Sequence, residues 1–355
     1  MTNTDTSNLQ TVAPRKPWKT PVDTARRAAI NGAISAALAS VLYALTGLDG
    51  ILGWYVAFII SVMVVLGIAS KISSNGRSIS DQVAPVLISA GFATVMIPWI
   101  SLIGTVIHRG AKGIYVGFFT TDMLVNSMDE PLNVGGISHA IIGTVIIVGI
   151  ATMIAAPLGI IAGLYIVEIN GKAARFVRFL TQAMSGVPSI VAGLFIYSTI
   201  ILTVTHKNNA VAGSMALAIL MLPTVARTSE EVLKVVPREI RDASYALGAT
   251  QVRTTLRVVL PTVRSGLITA TILGVARVAG ETAPLLLTSQ YFVRFTTNIF
   301  NSTMASLPTY IFGALRTGTE LASARAWSAS LVLMVIVVFL SVSARLLGGR
   351  AAGRK

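Results

Sequence analysis

Eight apolar stretches decide what this chain can be. They run over about residues 29–45, 51–70, 83–107, 137–166, 179–204, 211–226, 267–287 and 327–347. The first and sixth are short, but most reach the ~20 residues that carry a helix across a bilayer. The fourth is long enough to tilt, or to break at Pro157. A soluble domain has no core large enough for so many charge-poor runs. Composition agrees: the 355 residues are 54% hydrophobic and 12% charged, where a soluble domain carries roughly 25% charged residues. Mean hydropathy is +0.75. No stretch alternates apolar and polar residues as a barrel strand must, so length separates helix from strand. The expected fold is an all-α polytopic membrane protein with about eight transmembrane helices.

The 28 Lys and Arg against 14 acids leave a net charge of +14. On a soluble chain that balance points to nucleic acid; here it orders the topology, and no nucleic-acid partner is expected. With the N-terminus inside, 21 of the 28 basic residues fall in inside segments, six fall outside, and Arg277 lies within a span. That asymmetry places both termini in the cytoplasm. The absence of cysteine excludes thiol chemistry and disulfides, and His108, His139 and His206 are too scattered for a metal centre. Residues 1–28 form a polar, then basic tail without the apolar run of a cleaved leader. Such a tail is disordered with an orienting charge cluster, or it binds lipid or a regulator. A second basic tail covers 348–355. The hairpin 29–70 holds no intramembrane charge and is expected to pack against lipid. The outside segment 108–136 either docks a partner or is an ordered loop.

The inside segment 227–261 is the most informative. Pro237 suits the first turn of a helix and Gly248 the residue just past its end. Between them Ile240, Ala243 and Leu247 form a narrow apolar stripe on a charged surface. The stripe packs on its own bundle, lies at the headgroups, or enters a groove on a soluble partner. The spacing then becomes specific. Asp242-Ala243-Ser244, Gly248, Val258 and Leu260-Pro261 resemble the Glu-Ala-Ala…Gly…Ile-x-Leu-Pro loop of ATP-binding-cassette (ABC) importer permeases. Each departure keeps charge, smallness or branching. The resemblance implies that this segment is the coupling helix, which transmits nucleotide-driven closure of an ATPase. No phosphate-cradling glycine loop occurs in the chain, so ATP is expected on a separate polypeptide. No cofactor is expected here.

Within the seventh stretch Arg277 and Glu281 stand four residues apart, which predicts one helix face. A charge at a helix centre costs about 2.5–3.5 kcal/mol on insertion scales. The two either form an ion pair that holds helices together or line a wet pathway. The guanidinium fork suits an oxyanion, with Glu281 as its counter-charge and Thr282 and the Pro284 break supplying a hydroxyl and freed backbone groups. The run Arg277-Val-Ala-Gly-Glu-Thr-Ala-Pro-Leu-Leu is similar to that of the A-type permease subunits of phosphate ABC importers (PstA). So are Ala156-Pro-Leu-Gly-Ile-Ile-Ala-Gly-Leu-Tyr and Val187-Pro-Ser-Ile-Val-Ala-Gly-Leu-Phe-Ile-Tyr.

This resemblance covers about residues 83–347 and implies a six-span type I importer permease core, with the hairpin 29–70 as an addition. It also implies a bacterial or archaeal inner membrane, a second homologous permease, a dimer of ABC ATPases and an extracytoplasmic phosphate-binding protein. The outside segment 289–326, with Arg294, Arg316, Glu320 and Arg325, holds the contacts to that binding protein or forms an ordered cap with short helices. Two alternatives stand beside phosphate import: an ABC permease for sulfate, molybdate or a phosphonate, and an ion-coupled secondary carrier. The carrier predicts inverted repeats and several buried acids. A catalytic role is not expected.

Overall fold

The computed structural model describes residues 22–46, 50–72 and 79–349. Most of the tail 1–28, the connector at 47–49, the loop holding Arg77 and residues 350–355 of the basic C-terminus lie outside the described residues. Helices occupy all eight expected positions, and no strand occurs among the described residues. Five helices are long and apolar enough to cross a membrane, or six when one bent pair is counted as a span. The chain is an all-α, multi-pass membrane protein.

Contacts divide the chain into residues 1–102 and 103–355, a boundary that falls inside the third helix. The first unit holds α1 (Val22–Thr46), α2 (Gly50–Ile72) and most of α3 (Ile79–Gly110). Small residues carry the α1–α2 hairpin: Ser35, Ala39, Ala57 and Ser61 are fully buried. Lipid tails are as apolar as leucine, so helices in a membrane associate where small side chains let backbones close. Trp54 stacks on Phe58 and donates to the Ser40 hydroxyl across the hairpin.

The second unit begins with a short helix α4 (Val116–Thr120) and the long α5 (Ser138–Leu164). Pro157 does not break α5; the helix passes through it and widens only later, in a π turn at Tyr165–Ile169 that Asn170 ends at φ 45°. Next come α6 (Ala174–Ser185) and α7 (Ser189–Ile196), the latter running on through a π turn to Thr205. Here the expected span 179–204 is corrected. Gly186-Val187-Pro188 breaks it, and the two pieces meet at 102°. Proline cannot continue the ladder, and the residue before it is driven out of helical geometry. Helix α8 (Ala210–Lys234) follows, capped by the Asn209 side chain, which accepts from the Ala212 N–H at 2.8 Å. It runs eight residues past the end of the expected sixth span.

Four helices complete the region between α8 and the following loop. They are α9 (Arg238–Ala246), α10 (Gln251–Thr254), α11 (Leu260–Val278), joined to α10 by a π turn, and α12 (Ala283–Thr288). The last two helices are α13 (Leu307–Thr317) and α14 (Glu320–Gly349). The seam between α5 and α8 is built on Ala155, Gly159 and Gly163, spaced by four. A Cβ on Gly159 would lie 2.8 Å from Val225, and one on Gly163 would lie 2.9 Å from Ser229. Around this seam Ile147, Ala151, Leu217, Met221 and Val225 form the main core.

At the other end of α5 the two long connecting segments form a cap over Phe118, Met123, Ile137, Leu307 and Tyr310. Gly143 lets the cap backbone lie against α5, since a Cβ there would overlap the Ala305 carbonyl; the Leu307 N–H donates to Thr144 Oγ1 at 2.8 Å. Asp122 ties the two segments together by accepting from the N–H groups of Leu124 and Phe295. Those N–H bonds, Phe295's above all, hold its carboxyl below the usual aspartate range. Arg325, counted from sequence among the loop charges, is 1% exposed on α14. It donates to the carbonyls of Val134, Pro131 and Glu130 at 2.8, 2.9 and 3.1 Å.

Candidate functional site

Two places gather the residues singled out by sequence, one beyond the end of α8 and one where α11 stops. The first is α9. Pro237 precedes its first residue in an extended conformation, as its fixed φ favours. Gly248 follows it at φ 79°, a conformation that costs a residue with a Cβ. The Gly248 N–H donates to the Tyr245 carbonyl at 2.8 Å and the Ala249 N–H to the Ser244 carbonyl at 3.2 Å. This paired closure is a Schellman turn, and it sends the chain back toward α10, which Thr250 caps.

No residue of α9 is buried. Asp242 and Ala243 are exposed, Ile240 is 38% exposed, and Leu247 is 89% exposed. The apolar stripe is therefore left uncovered among the described residues. Behind it Ser244 shares a 2.9 Å hydroxyl–hydroxyl bond with the buried Thr254. Val258 and Leu260 are half-buried and Pro261 is exposed where α11 begins. The spacing of the motif is thus realised as an outward helix, a tight reversal and the start of a span.

The strongest attachment of α9 is one that sequence reading missed. Arg241 is held by Glu168, in the π turn that ends α5, with Nη2 2.6 Å from Oε1 and Nε 3.2 Å from both carboxylate oxygens. Its other N–H groups reach the carbonyls of Val236, Leu233 and Pro237 at 2.6, 3.1 and 3.4 Å. Two of these carbonyls belong to the last turn of α8 or just beyond it, where intrahelical donors run out. Glu168 raises the pKa of Arg241 by hydrogen bonding, against the opposing effect of burial. The signal available in the sequence was an acid at the boundary of an otherwise charge-free run, but its partner lies 73 residues away.

The second place corrects the reading of span seven. Helix α11 ends at Val278; Ala279 to Thr282 form a turn, with the Glu281 N–H donating to the Val278 carbonyl at 3.1 Å, before α12 begins. Gly280 and Pro284 explain the stop. Arg277 and Glu281 are therefore not on one helix face, and no ion pair between them occurs among the described residues. The exposed Arg277 donates from Nη1 to Thr224 Oγ1 at 2.9 Å. Thr224 follows Pro223 on α8, and Pro223 deprives the Ile219 carbonyl of its helical donor. Thr282 caps α12, its carbonyl accepting from Leu285 and Leu286. Arg277, Glu281 and Thr282 thus flank a break in the span, with Thr224 as an addition from α8.

Among the described residues no group of three or more His, Asp and Glu side chains converges.

Residues 155–353 match the profile of the family described as binding-protein-dependent transport system inner membrane component. The phosphate transport system permease protein PstA 1 of Mycobacterium tuberculosis is 36% identical over 280 residues, covering 79% of this chain and 92% of that one. The chain belongs to the PstA permease family. Its PstA relative from Yersinia pestis is 34% identical over 275 residues, 76% of this chain and 90% of the relative. A solved bacterial ABC transporter involved in importing the acidic polysaccharide alginate shares the fold, with a TM-score of 0.53 at 12% identity, over 75% of this chain and 96% of that one. The type I importer fold of the PstA family thus holds for this chain, while its α1–α2 hairpin precedes the segment matched by the family profile.

Proposed function

We propose that this chain is the membrane-spanning subunit of an ATP-driven importer of inorganic phosphate. What carries the reading is the likeness to phosphate permeases along nearly the whole length of those relatives. The chain pairs with a second homologous permease, a dimer of ABC ATPases binds on the cytoplasmic side, and a phosphate-binding protein delivers substrate from outside. The ends of the chain lie in the cytoplasm, as its charge distribution favours.

The local geometry supports the division of labour. Asp242, Ala243, Ser244 and Gly248 belong to the coupling helix, whose unpartnered stripe of Ile240, Ala243 and Leu247 seats in the ATPase. Val258, Leu260 and Pro261 return the chain to the membrane. Arg277 stands on the translocation path: one N–H goes to Thr224, and the remaining donors of the fork are suited to a passing oxyanion. Glu281 lowers the affinity for that anion by like charge, and Thr282 adds a hydroxyl. ATP binding closes the ATPases, the coupling helix moves, and the cavity opens outward; hydrolysis resets it. The chain itself performs no chemistry.

The test is uptake of labelled orthophosphate at low external concentration, in cells lacking this gene with and without the chain restored. Restored uptake that ATP depletion abolishes and a protonophore spares is the expected result. Uptake abolished only by the protonophore would overturn it in favour of a secondary carrier.

A further inference from the structure

No residue of α9 is buried, and its packing is against α10 and the π turn that follows it. Its ties to α5 and α8 are polar attachments and the chain itself, so these decide whether those spans move with it. Arg241 is the centre of those attachments. All of its guanidinium N–H groups have acceptors, on α5's terminal turn (Glu168) and around the last turn of α8 (Leu233, Val236, Pro237). Glu168 is 3% exposed in its side chain, and its own carbonyl accepts from Gln251 Nε2 on α10, which leads into α11. Three spans therefore converge on one arginine–glutamate pair. Nine residues back along α8 from Leu233 sits Thr224, the hydroxyl that accepts from Arg277.

From this convergence we infer that the Arg241–Glu168 pair is the joint that makes α9, α5 and α8 move as one body, so that nucleotide-driven motion reaches the translocation path. The inference rests on the proposed role of α9 as the coupling helix. Arg241 and Glu168 are positioning residues: neither touches substrate or nucleotide. The requirement is for the fork and not for the charge. A lysine ammonium offers three donors from one point and cannot span both Glu168 and the α8 carbonyls.

The chain contains no cysteine, so spin labels can be placed cleanly. Labels at Arg238→Cys, on the face of α9 away from its apolar stripe, and Ile161→Cys on α5, both exposed positions, report the separation of the two elements within the assembled transporter in lipid. Adding ATP with vanadate is expected to leave that distance unchanged in the otherwise unsubstituted protein, and to change it in Arg241→Lys and Glu168→Gln. In the same proteoliposomes, phosphate uptake per ATP hydrolysed is expected to fall about tenfold in both variants while ATP hydrolysis continues. A constant distance in both variants, or uptake and hydrolysis lost in proportion to the amount of assembled complex, would overturn the joint. The distance measurement needs no substrate. Unsubstituted transporter that hydrolyses ATP without carrying phosphate would strike the substrate assignment and leave the joint to be judged on distances alone.

Discussion

The two ends of α5 solve opposite problems. At the cap, charge is turned inward: Arg325 is buried and bound to three carbonyls, and Asp122 takes two backbone N–H groups. At α9, apolar surface is turned outward, with Leu247 almost fully exposed and no buried residue on the helix. One end holds its charges against its own backbone; the other carries an apolar stripe that no described residue covers. The lesson is that polar groups satisfied inside the chain hold its own loops together, whereas an apolar stripe on an otherwise charged helix outside the spans marks a surface for another molecule.

The comparison breaks most directly at Arg325. Replacement by leucine takes a donor from three partly buried carbonyls, of which Pro131's keeps the Val134 N–H; an unpaired group costs ~1–3 kcal/mol when buried, so Arg325→Leu is expected to cost about 2 kcal/mol and to lower the melting temperature in detergent. A variant melting within error of the parent would show that the cap does not depend on it. Next is Gly143→Ala, where the new methyl meets the Ala305 carbonyl. Overpacking of this kind costs roughly 1–3 kcal/mol, and the same melt should register it.

Arg277→Ala is expected to abolish phosphate uptake with insertion and assembly intact; preserved uptake would remove Arg277 from the path. Leu247→Ser sharpens the contrast from the other side. Its stability should change by less than about 0.5 kcal/mol, as exposed substitutions do, while co-purification of the ATPase falls. The smallest effect depends on pH. Asp122 has a lowered pKa in the folded chain, so its stabilising share is present above the ordinary aspartate value of 3.8 and fades as pH falls below it. Asp122→Asn, which keeps only one acceptor oxygen for the two N–H groups, should lower the melting temperature near neutrality and approach the parent's as pH falls through that acid range.

The helices were legible because a bilayer demands length and apolarity, which any window of sequence reveals. Breaks inside apolar runs were less so. Averaging across Gly186-Val187-Pro188 hides a 102° bend, and Arg277 and Glu281 look like one face only until α11 stops at Val278. The α9 helix and its turn were readable from Pro237 and Gly248, whose backbone demands are local. The Arg241–Glu168 pair was not, since it depends on where α5 and α8 end in space. Arg325 was read as a loop charge, though Ala322, Ala326 and Ala329 beside it, all fully buried, carry the small-residue spacing of a packed face.

The π turn at Tyr165–Ile169 has a consequence for how the family can vary. Its Asn170 N–H reaches back five residues, to Tyr165, so the helix there carries one residue more than an α-helical turn would spend. Deleting one residue of this turn other than Glu168 would let it close with an ordinary four-residue bond, shortening the span by about 1.5 Å while the segments on either side keep nearly the same phase. Glu168 would then stay close to its place opposite Arg241 although the chain was one residue shorter. For this segment, relatives are better compared by helical phase than by residue identity.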